Sequence, residues 1–227
     1  MKTIFFDIET GPLPEGELAA LLPPFDPAEV KTGNLKDSDK IAAKIADAEA
    51  SHRADFFDKA ALDPLTGRVL AVGLLYADSR EFLVLGNRTN GTEGTNEGEA
   101  ELLREFWDVC RGDLGRINQM VGFNTWQFDL PFLFRRSWKH RVPVPPGLRR
   151  GRYWAEQLID LREIWQLGDR QARGSLDAVA KHLGVGAKNG DGHNFAKLWQ
   201  SDRAKAVEYL RNDVELTRKV AEAMGVF

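Results

Sequence analysis

The chain alternates between short apolar runs and longer amphipathic stretches. Apolar runs of strand length occur at residues 4–6, 69–76, 81–85 and 119–123. Apolar residues recur at helical spacing at residues 99–109, at residues 202–223 and in a stretch that begins at Asp129. The predicted order is therefore strand, long insertion, strands, helix, strand, helix, loop and then further helices. We expect the second and third strands to pair beside the first.

Acidic side chains stand at three places where these elements would direct them inward. Asp7 and Glu9 are two residues apart at the end of the first strand, so both project from the same side. Tyr209 and Asp213 are four residues apart on the last helix and therefore share one face. Asp129 lies at the start of the helix that follows the fourth strand.

Neighbouring carboxylates need a partner for their charge. Two bare carboxylates side by side repel each other, and one normally takes up a proton or binds a cation. Oxygen ligands favour magnesium or manganese over zinc, which usually binds histidine or cysteine. Four acids and one tyrosine are the ligand set of a two-metal phosphodiesterase. Taken singly, each cluster also has an ordinary explanation, as a polar strand end, a helix N-cap or an amphipathic helix surface.

The order and internal spacing of these clusters resemble a known superfamily, the DEDD 3′-to-5′ exonucleases. Its three motifs resemble FDIETG at residues 6–11, NTWQFD at 124–129 and YLRND at 209–213. The tyrosine four residues before the last aspartate is typical of the tyrosine subclass, because the histidine subclass needs histidine where this chain has Glu208. The likeness is greatest to the proofreading exonuclease domain of family B DNA polymerases and its stand-alone relatives. Supporting likenesses lie at residues 67–73, 159–161 and 175–184.

The resemblance implies an α/β ribonuclease-H-like fold, a mixed sheet flanked by helices with a helical insertion after the first strand. It runs through nearly the whole chain as a single domain, residues 1–227, except for the insertion at residues 12–63. This insertion is first proline-rich and then helical, with Ser38 as the expected N-cap and a helix that could reach residue 61. The helix either covers the cleft and restricts it to single strands, or supports the scaffold.

The same resemblance implies two divalent cations, Mg²⁺ or Mn²⁺, that activate a water and stabilise the departing 3′ oxygen. Asp7 is expected to bridge the two cations. Glu9 and Asp213 are expected to complete the site that generates hydroxide, and Asp129 to help hold the leaving-group metal. Tyr209 is expected to orient the attacking water, since a phenol with a pKa near about 10 is a poor proton acceptor.

Substrate contacts are also implied by the resemblance. The backbone around Thr10 and Gly11 would hold the terminal nucleotide, and Asn124 would form a hydrogen bond nearby. Phe128 would stack against a base, which is a sequence-tolerant contact. Packing in the core is the alternative for this phenylalanine.

Positive charge is concentrated outside the acidic motifs. Residues 135–155 contain no acidic residue, and their basic side chains, beginning with Arg135 and Arg136, alternate with aromatic ones. This pattern predicts an arm that contacts phosphates, or alternatively a solvated helix end. Lys188 lies in the glycine-rich segment 184–192, which is either a wall of the cleft with the lysine available to a phosphate or an exposed loop. It lacks the lysine followed by serine or threonine of a P-loop.

Composition agrees with a globular enzyme but does not indicate its substrate. The 227 residues carry a net charge of −3, to which the four acids contribute. Cys110 is the single cysteine and cannot form an internal disulfide, which suits a reducing compartment. No apolar run is long enough to cross a bilayer, so we expect a cytoplasmic protein without membrane contact. Residues 87–98 lack a hydrophobic anchor and are predicted to form a mobile loop.

These observations together predict a metal-dependent 3′-to-5′ exonuclease that releases nucleoside 5′-monophosphates from the 3′ ends of DNA, above all single-stranded DNA. An exoribonuclease would use the same acids, because the metals act on phosphate. A noncatalytic nucleic-acid-binding module and a structural or interaction protein are also compatible with the sequence. Replication or repair proteins are potential partners that the sequence does not identify.

Overall fold

The computed structural model describes residues 1–86, 96–112, 118–145, 148, 157–169, 171–190 and 192–227. The chain divides into two compact units. The first consists of Met1–Thr10 together with Val69–Phe227, and the second is Gly11–Arg68. The second unit includes the predicted insertion at residues 12–63. The assignment of residues 1–227 to a single domain stays a prediction.

The described residues form a five-stranded mixed sheet. Its strands are β1 (Thr3–Pro12), β2 (Gly67–Tyr76), β3 (Phe82–Gly86), β4 (Gln119–Gly122) and β5 (Leu158–Asp160). They lie in the order β3-β2-β1-β4-β5. β4 is parallel to β1 and to β5, whereas β3 is antiparallel to β2. This sheet confirms the predicted α/β ribonuclease-H-like fold, and β2 lies beside β1 as expected.

Each unit has its own helices. The second unit contains α1 (Glu15–Ala20) and α2 (Ser38–Lys59). In the first unit the sheet is flanked by α3 (Asn96–Arg111), α4 (Asp129–Lys139), α5 (Leu161–Gln166), α6 (Leu176–Leu183), α7 (Phe195–Ser201) and α8 (Arg203–Ala223). The three predicted helices of the first unit are confirmed as α3, α4 and α8. α3 begins within the predicted loop at residues 87–98, of which residues 87–95 lie outside the described residues. None of the described helices combines the length and apolar character needed to span a membrane.

Both faces of the sheet are covered, which explains the unbroken apolar run at the start of β1. Phe6 packs with Phe106 of α3 in one core cluster. Phe5 belongs to a second cluster, which includes Leu210 and Val214 of α8. Because side chains alternate along a strand, Asp7 and Glu9 lie on the same face as Phe5. The alternation therefore directs both acids toward α8, the helix that carries Tyr209 and Asp213.

The second unit is built around α2. Asp37, rather than the predicted Ser38, is its N-cap, because the Asp37 carboxylate accepts hydrogen bonds from the backbone N–H groups of Asp39 and Lys40. The helix continues into a short 3-10 turn at Ala60–Leu62, close to the predicted end at residue 61. No residue of α2 itself is buried.

Candidate active site

The acids converge at one edge of the sheet. β1, β4 and β5 run parallel, so the residues that follow their carboxyl ends meet there. Asp7 and Glu9 lie in β1, and Asp213 lies on α8 against the same face. One carboxylate oxygen from each of these three residues lies within 4.8 Å of the others, close enough for all three to ligate one ion. The structure therefore brings together three of the four predicted metal ligands.

Asp129, the fourth acid, stands next to this group rather than within it. It is the first residue of α4 and is 2% exposed. Its Oδ1 accepts a hydrogen bond of 3.2 Å from the backbone N–H of Ile8, which ties the start of α4 to β1 between Asp7 and Glu9. Burial raises the pKa of Asp129 well above its ordinary value, and the charge of Asp7 raises it further. Asp129 is thus electrostatically coupled to the cluster.

The three clustered carboxyl groups resist ionisation. Burial and the charge of Asp213 raise the pKa of Asp7 to about 7. Burial, followed by the charge of Asp7, raises the pKa of Glu9 well above its ordinary value. Burial likewise raises the pKa of Asp213 although a lysine opposes it. The cluster has more negative charge than its surroundings compensate, and a divalent cation would relieve that imbalance.

Lys188 supplies positive charge within the site. Its Nζ lies 2.6 Å from Asp213 Oδ2 and 3.5 Å from the Tyr209 hydroxyl. Burial lowers the pKa of Lys188, but Asp213 and Asp7 raise it by more, so the ammonium stays charged. The loop holding it is fixed by Asp177 on α6, whose Oδ1 accepts a 2.9 Å hydrogen bond from the Lys188 backbone N–H. The glycine-rich segment therefore reaches the acids.

Tyr209 is enclosed by the same segment. A Cβ atom at Gly190 would lie 3.0 Å from the Tyr209 ring, and one at Gly192 would lie 3.4 Å from its hydroxyl. A side chain at position 190 would therefore crowd the Tyr209 ring, whereas the distance at position 192 is that of an ordinary contact. Burial, with the charge of Asp213, raises the pKa of Tyr209 above its ordinary value. The phenol is therefore protonated at neutral pH and can donate a hydrogen bond.

The donor set fits a hard divalent cation. Every ligand atom offered by Asp7, Glu9 and Asp213 is a carboxylate oxygen. Asp213 Oδ2 is compensated by the 2.6 Å ion pair with Lys188, whereas Oδ1 has no hydrogen bond of good geometry within the described residues. Buried carboxylate oxygens without hydrogen bonds are costly unless they bind something. The chemistry of the cluster matches Mg²⁺ or Mn²⁺ better than Zn²⁺.

Arg136, a predicted substrate contact, is buried against a partner within the protein, and its predicted role stays a prediction. Its side chain is 2% exposed and forms hydrogen bonds of 2.9 and 2.6 Å with the two carboxylate oxygens of Glu99. His140 contacts the same carboxylate at 2.7 Å. The basic run alone could not reveal this, since Glu99 is distant in sequence and becomes a neighbour only when α3 packs on α4. Arg135 is exposed, and residues 149–156 of the basic run lie outside the described residues.

The remaining predicted substrate contacts differ in exposure. Thr10 is half-buried and Gly11 is buried, both within β1. Asn124 is half-buried just after β4. Phe128 is half-buried with its ring 5.7 Å from that of Phe132, so it packs partly on the core. Both predicted roles of this phenylalanine, stacking and packing, are compatible with that position.

Two residues near the site had no predicted role. Asp160 ends β5, is 3% exposed and accepts hydrogen bonds from three backbone N–H groups, those of Asn124, Trp126 and Arg162. Arg162 donates a hydrogen bond from Nη1 to Asn124 Oδ1 at 2.6 Å. An aspartate after a short apolar run is a helix N-cap signal that would have identified Asp160. Nothing local identifies its long-range partners.

Comparisons with known proteins identify the family and the fold. The sequence profile of a family described as a predicted 3′-5′ exonuclease related to the exonuclease domain of PolB matches residues 62–218. That segment contains Asp129, Lys188, Tyr209 and Asp213, whereas Asp7 and Glu9 precede it. No curated protein matches the chain.

A solved structure has a similar fold. The family B DNA polymerase from the hyperthermophilic archaeon Pyrobaculum calidifontis matches over 98% of this chain with a TM-score of 0.54 and 19% sequence identity. The match covers 24% of the polymerase, so the chain spans about a quarter of its length. At this identity the likeness shows the fold.

Proposed function

The chain belongs to the family of predicted 3′-5′ exonucleases related to the exonuclease domain of PolB, and we propose on this premise that it is a metal-dependent 3′-to-5′ exonuclease acting on DNA. It would release nucleoside 5′-monophosphates, with single-stranded 3′ ends as the preferred substrate. The observation that carries the proposal is the convergence of Asp7, Glu9 and Asp213 carboxylates within 4.8 Å at the sheet edge.

The acids would hold two cations, Mg²⁺ or Mn²⁺. When bound, such a pair activates a water, neutralises phosphate charge and stabilises the departing 3′ oxygen. Asp7, Glu9 and Asp213 would ligate the ion beside the attacking water. Asp7 and Asp129 would hold the ion beside the leaving group, and the position of Asp129 next to the cluster supports this division.

Tyr209 would orient the attacking water. Its hydroxyl stands beside Asp213 and Lys188, and its raised pKa keeps the proton on the phenol at neutral pH. A protonated phenol can hold a water through one hydrogen bond but cannot accept that water's proton. Tyr209 is therefore proposed as an orienting group and not as the general base.

The substrate strand would contact the residues around this centre. Lys188 and the exposed Arg135 would offer positive charge to phosphates. The backbone at Thr10 and Gly11 would hold the terminal nucleotide, and Phe128 would present its exposed edge to a base. A cytoplasmic location and contacts with replication or repair proteins stay predictions.

Digestion of end-labelled oligonucleotides tests the proposal. Matched DNA and RNA oligomers, free or blocked at the 3′ or the 5′ end, are incubated with Mg²⁺ or Mn²⁺ and resolved by product length. We expect mononucleotide release that stops with a 3′ block and not with a 5′ block. Faster release from RNA would replace the DNA assignment with the exoribonuclease.

Two substitutions sharpen this assay. Asp7→Asn removes one site charge while keeping the shape of the side chain, and should abolish release. Asp78→Asn, at an exposed position, makes the same charge change away from the cluster and should leave release unchanged. Equal rates for the wild-type protein and Asp7→Asn would refute the proposed site.

A further inference from the structure

The segment between β4 and α4 is held by the start of α5. Asp160 Oδ1 accepts hydrogen bonds from the backbone N–H groups of Asn124 at 2.8 Å and Arg162 at 2.9 Å. Its Oδ2 accepts a third, of 2.9 Å, from the backbone N–H of Trp126. One buried carboxylate thus serves both as the N-cap of α5 and as the anchor of the Asn124 segment. Because Asp160 is occupied by these three donors, it is an anchor and not a free ligand.

Asn124 has an unusual backbone conformation. Its φ is +65°, in the left-handed region that asparagine adopts more readily than most residues. The tight turn also depends on Gly122, where a Cβ atom would lie 2.2 Å from Thr125 Cγ2. The backbone is therefore fixed, and the orientation of the side-chain amide remains to be set.

Arg162 sets the amide. Its Nη1 lies 2.6 Å from Asn124 Oδ1. A guanidinium can only donate hydrogen bonds, so the amide oxygen must face Arg162 and the NH₂ group must point away from it. Within the described part of the chain, that NH₂ group has no acceptor. Arg162 Nε is also buried without a hydrogen-bond partner among the described residues, so its guanidinium is held mainly by this contact.

We propose that Arg162 is a positioning residue that locks the Asn124 amide with its NH₂ group toward an acceptor oxygen of the 3′-terminal nucleotide. The inference rests on the proposed function. Asn124 follows the carboxyl end of β4, the strand next to the one that carries Asp7 and Glu9, so the Asn124 segment lies at the strand end next to the acid-bearing strand. Without the lock, the amide could turn its oxygen toward the oxygens of the nucleotide and repel them. A donor that is already fixed in the free protein loses less conformational entropy when the nucleotide binds.

A double-mutant cycle tests this role. The full-length wild type, Arg162→Met, Asn124→Ala and the double variant are compared by fluorescence anisotropy with single-stranded DNA in Ca²⁺, under conditions in which no nucleotide release is detected. kcat and KM are then measured in Mg²⁺. We expect each single substitution to weaken binding and raise KM by about 3- to 10-fold, the effect of one hydrogen bond, with a smaller change in kcat. The double variant should be no worse than Asn124→Ala, because Arg162 acts through Asn124.

Further variants separate positioning from folding. Asn124→Asp keeps an oxygen for Arg162 but removes the donor, so it should lose as much affinity as Asn124→Ala. Arg162→Lys keeps a donor to Oδ1 and should recover part of the affinity lost in Arg162→Met. Arg104→Met, at an exposed position on α3, is the matched control and should bind like wild type. The melting temperature of each variant is measured in parallel.

The outcomes are distinguishable. Additive losses in the double variant would overturn the inference, since Arg162 would then contact the substrate itself or only support the fold. Wild-type affinity in Arg162→Met would also overturn it while leaving the proposed function intact. If the wild-type protein neither binds nor degrades any oligonucleotide, the proposed function fails, and the inference fails with it.

Discussion

At the scale of single residues, the site is defined by charges that the protein holds together against their repulsion. Burial raises the pKa of each of the three carboxyl groups, those of Asp7, Glu9 and Asp213. Neighbouring acids raise the pKa values of Asp7 and Glu9 further, whereas Lys188 opposes the increase at Asp213. Such a cluster is unfavourable in the metal-free protein and favourable once a cation is bound. Substitution of one acid should therefore stabilise the metal-free protein and reduce the further stabilisation that an added metal gives.

Asp7→Asn should stabilise the metal-free protein at neutral and higher pH. The pKa of Asp7 is raised to about 7 in the folded protein. The free energy of unfolding therefore falls as pH increases from the ordinary pKa of an aspartate toward 7. The substitution removes this loss. We expect the melting temperature in EDTA to rise by about 2 to 4 °C at pH 8 and to change little at pH 4. In this variant the melting temperature should no longer increase when Mn²⁺ is added. If it still increases, Asp7 is not the metal ligand that we propose.

Tyr209→Phe should slow hydrolysis without abolishing it. The substitution removes the hydroxyl that is proposed to hold the water but keeps the ring, which packs against Phe195 at 6.0 Å. We expect single-turnover rates to fall by about 10- to 100-fold with an unchanged melting temperature. Complete loss of activity would indicate that the phenol takes part in proton transfer.

At the scale of elements, the parallel strand ends and the helices that follow them place the site. β4 ends at Gly122, the chain turns tightly through Asn124, and α4 begins at Asp129. Asp160 at the end of β5 fixes this turn, while α3 and α4 are joined by the buried contact of Arg136 with Glu99. The geometry of the turn and the stability of the helix pair can therefore be tested separately.

Gly122→Ala should displace the turn and reduce activity. The added Cβ would lie 2.2 Å from Thr125 Cγ2 and 3.1 Å from the backbone oxygen of Phe6, so Thr125 must move. We expect a loss of stability of about 1 to 3 kcal/mol and a larger proportional loss of exonuclease rate. Gly16→Ala on α1, where no atom lies within 4 Å of the added Cβ, is the control. Equal behaviour of the two variants would show that the turn adapts.

Glu99→Gln should destabilise the fold by removing the negative charge that the buried Arg136 guanidinium faces. Burial raises the pKa of Glu99, but hydrogen bonds from His140 and Arg136 lower it by more, so the net shift is downward. The ion pair therefore contributes fully above the ordinary glutamate pKa and is lost as pH falls through the depressed folded value. We expect the free energy of unfolding to fall by about 3 to 5 kcal/mol near pH 7, and we expect this difference from wild type to become smaller in acid.

Chemical denaturation from pH 3 to pH 8 measures the effect of Glu99→Gln. Glu101→Gln, on the exposed face of the same helix, should leave stability nearly unchanged at every pH. If the difference in free energy of unfolding between wild type and Glu99→Gln became larger in acid, the pKa of Glu99 could not be lowered in the folded protein.

At the scale of the whole molecule, a net charge of −3 means that the proposed nucleic-acid binding would depend on a few local cations. Arg135 and Lys188 are the two proposed phosphate contacts. Two contacts to single-stranded DNA predict a slope of roughly −1.4 for the logarithm of affinity against that of salt concentration. Affinity should then fall about 7-fold between about 50 and 200 mM salt.

Anisotropy titrations at several salt concentrations measure this slope, and Arg135→Met should make it shallower while the exposed Arg104→Met should not. A slope near zero would contradict both contacts. A much steeper slope would indicate that basic residues at 149–152 also bind phosphates.

Local patterns in the sequence were sufficient for most of the sheet strands and the main helices, and the resemblance of the three motifs was sufficient for the fold class and the family. The spacings of Asp7 with Glu9 and of Tyr209 with Asp213 depend only on strand and helix periodicity, so these pairs could be predicted to share a face. The apolar runs identified β1 to β4, whereas β5 was missed because three residues give too short a pattern. The catalytic and metal-binding roles assigned to these residues stay predictions.

Tertiary structure alone decided which side chains meet across the chain. It buried Arg136 against Glu99, brought Lys188 to Asp213, and joined Asn124 to Asp160 and Arg162. Each of these pairs depends on how separate helices and strands pack, and no local period encodes that packing. The sequence by itself therefore determined the chemical groups and their local directions. Their partners were decided by long-range packing, because hydrogen bonds and ion pairs require distances that only the folded chain sets.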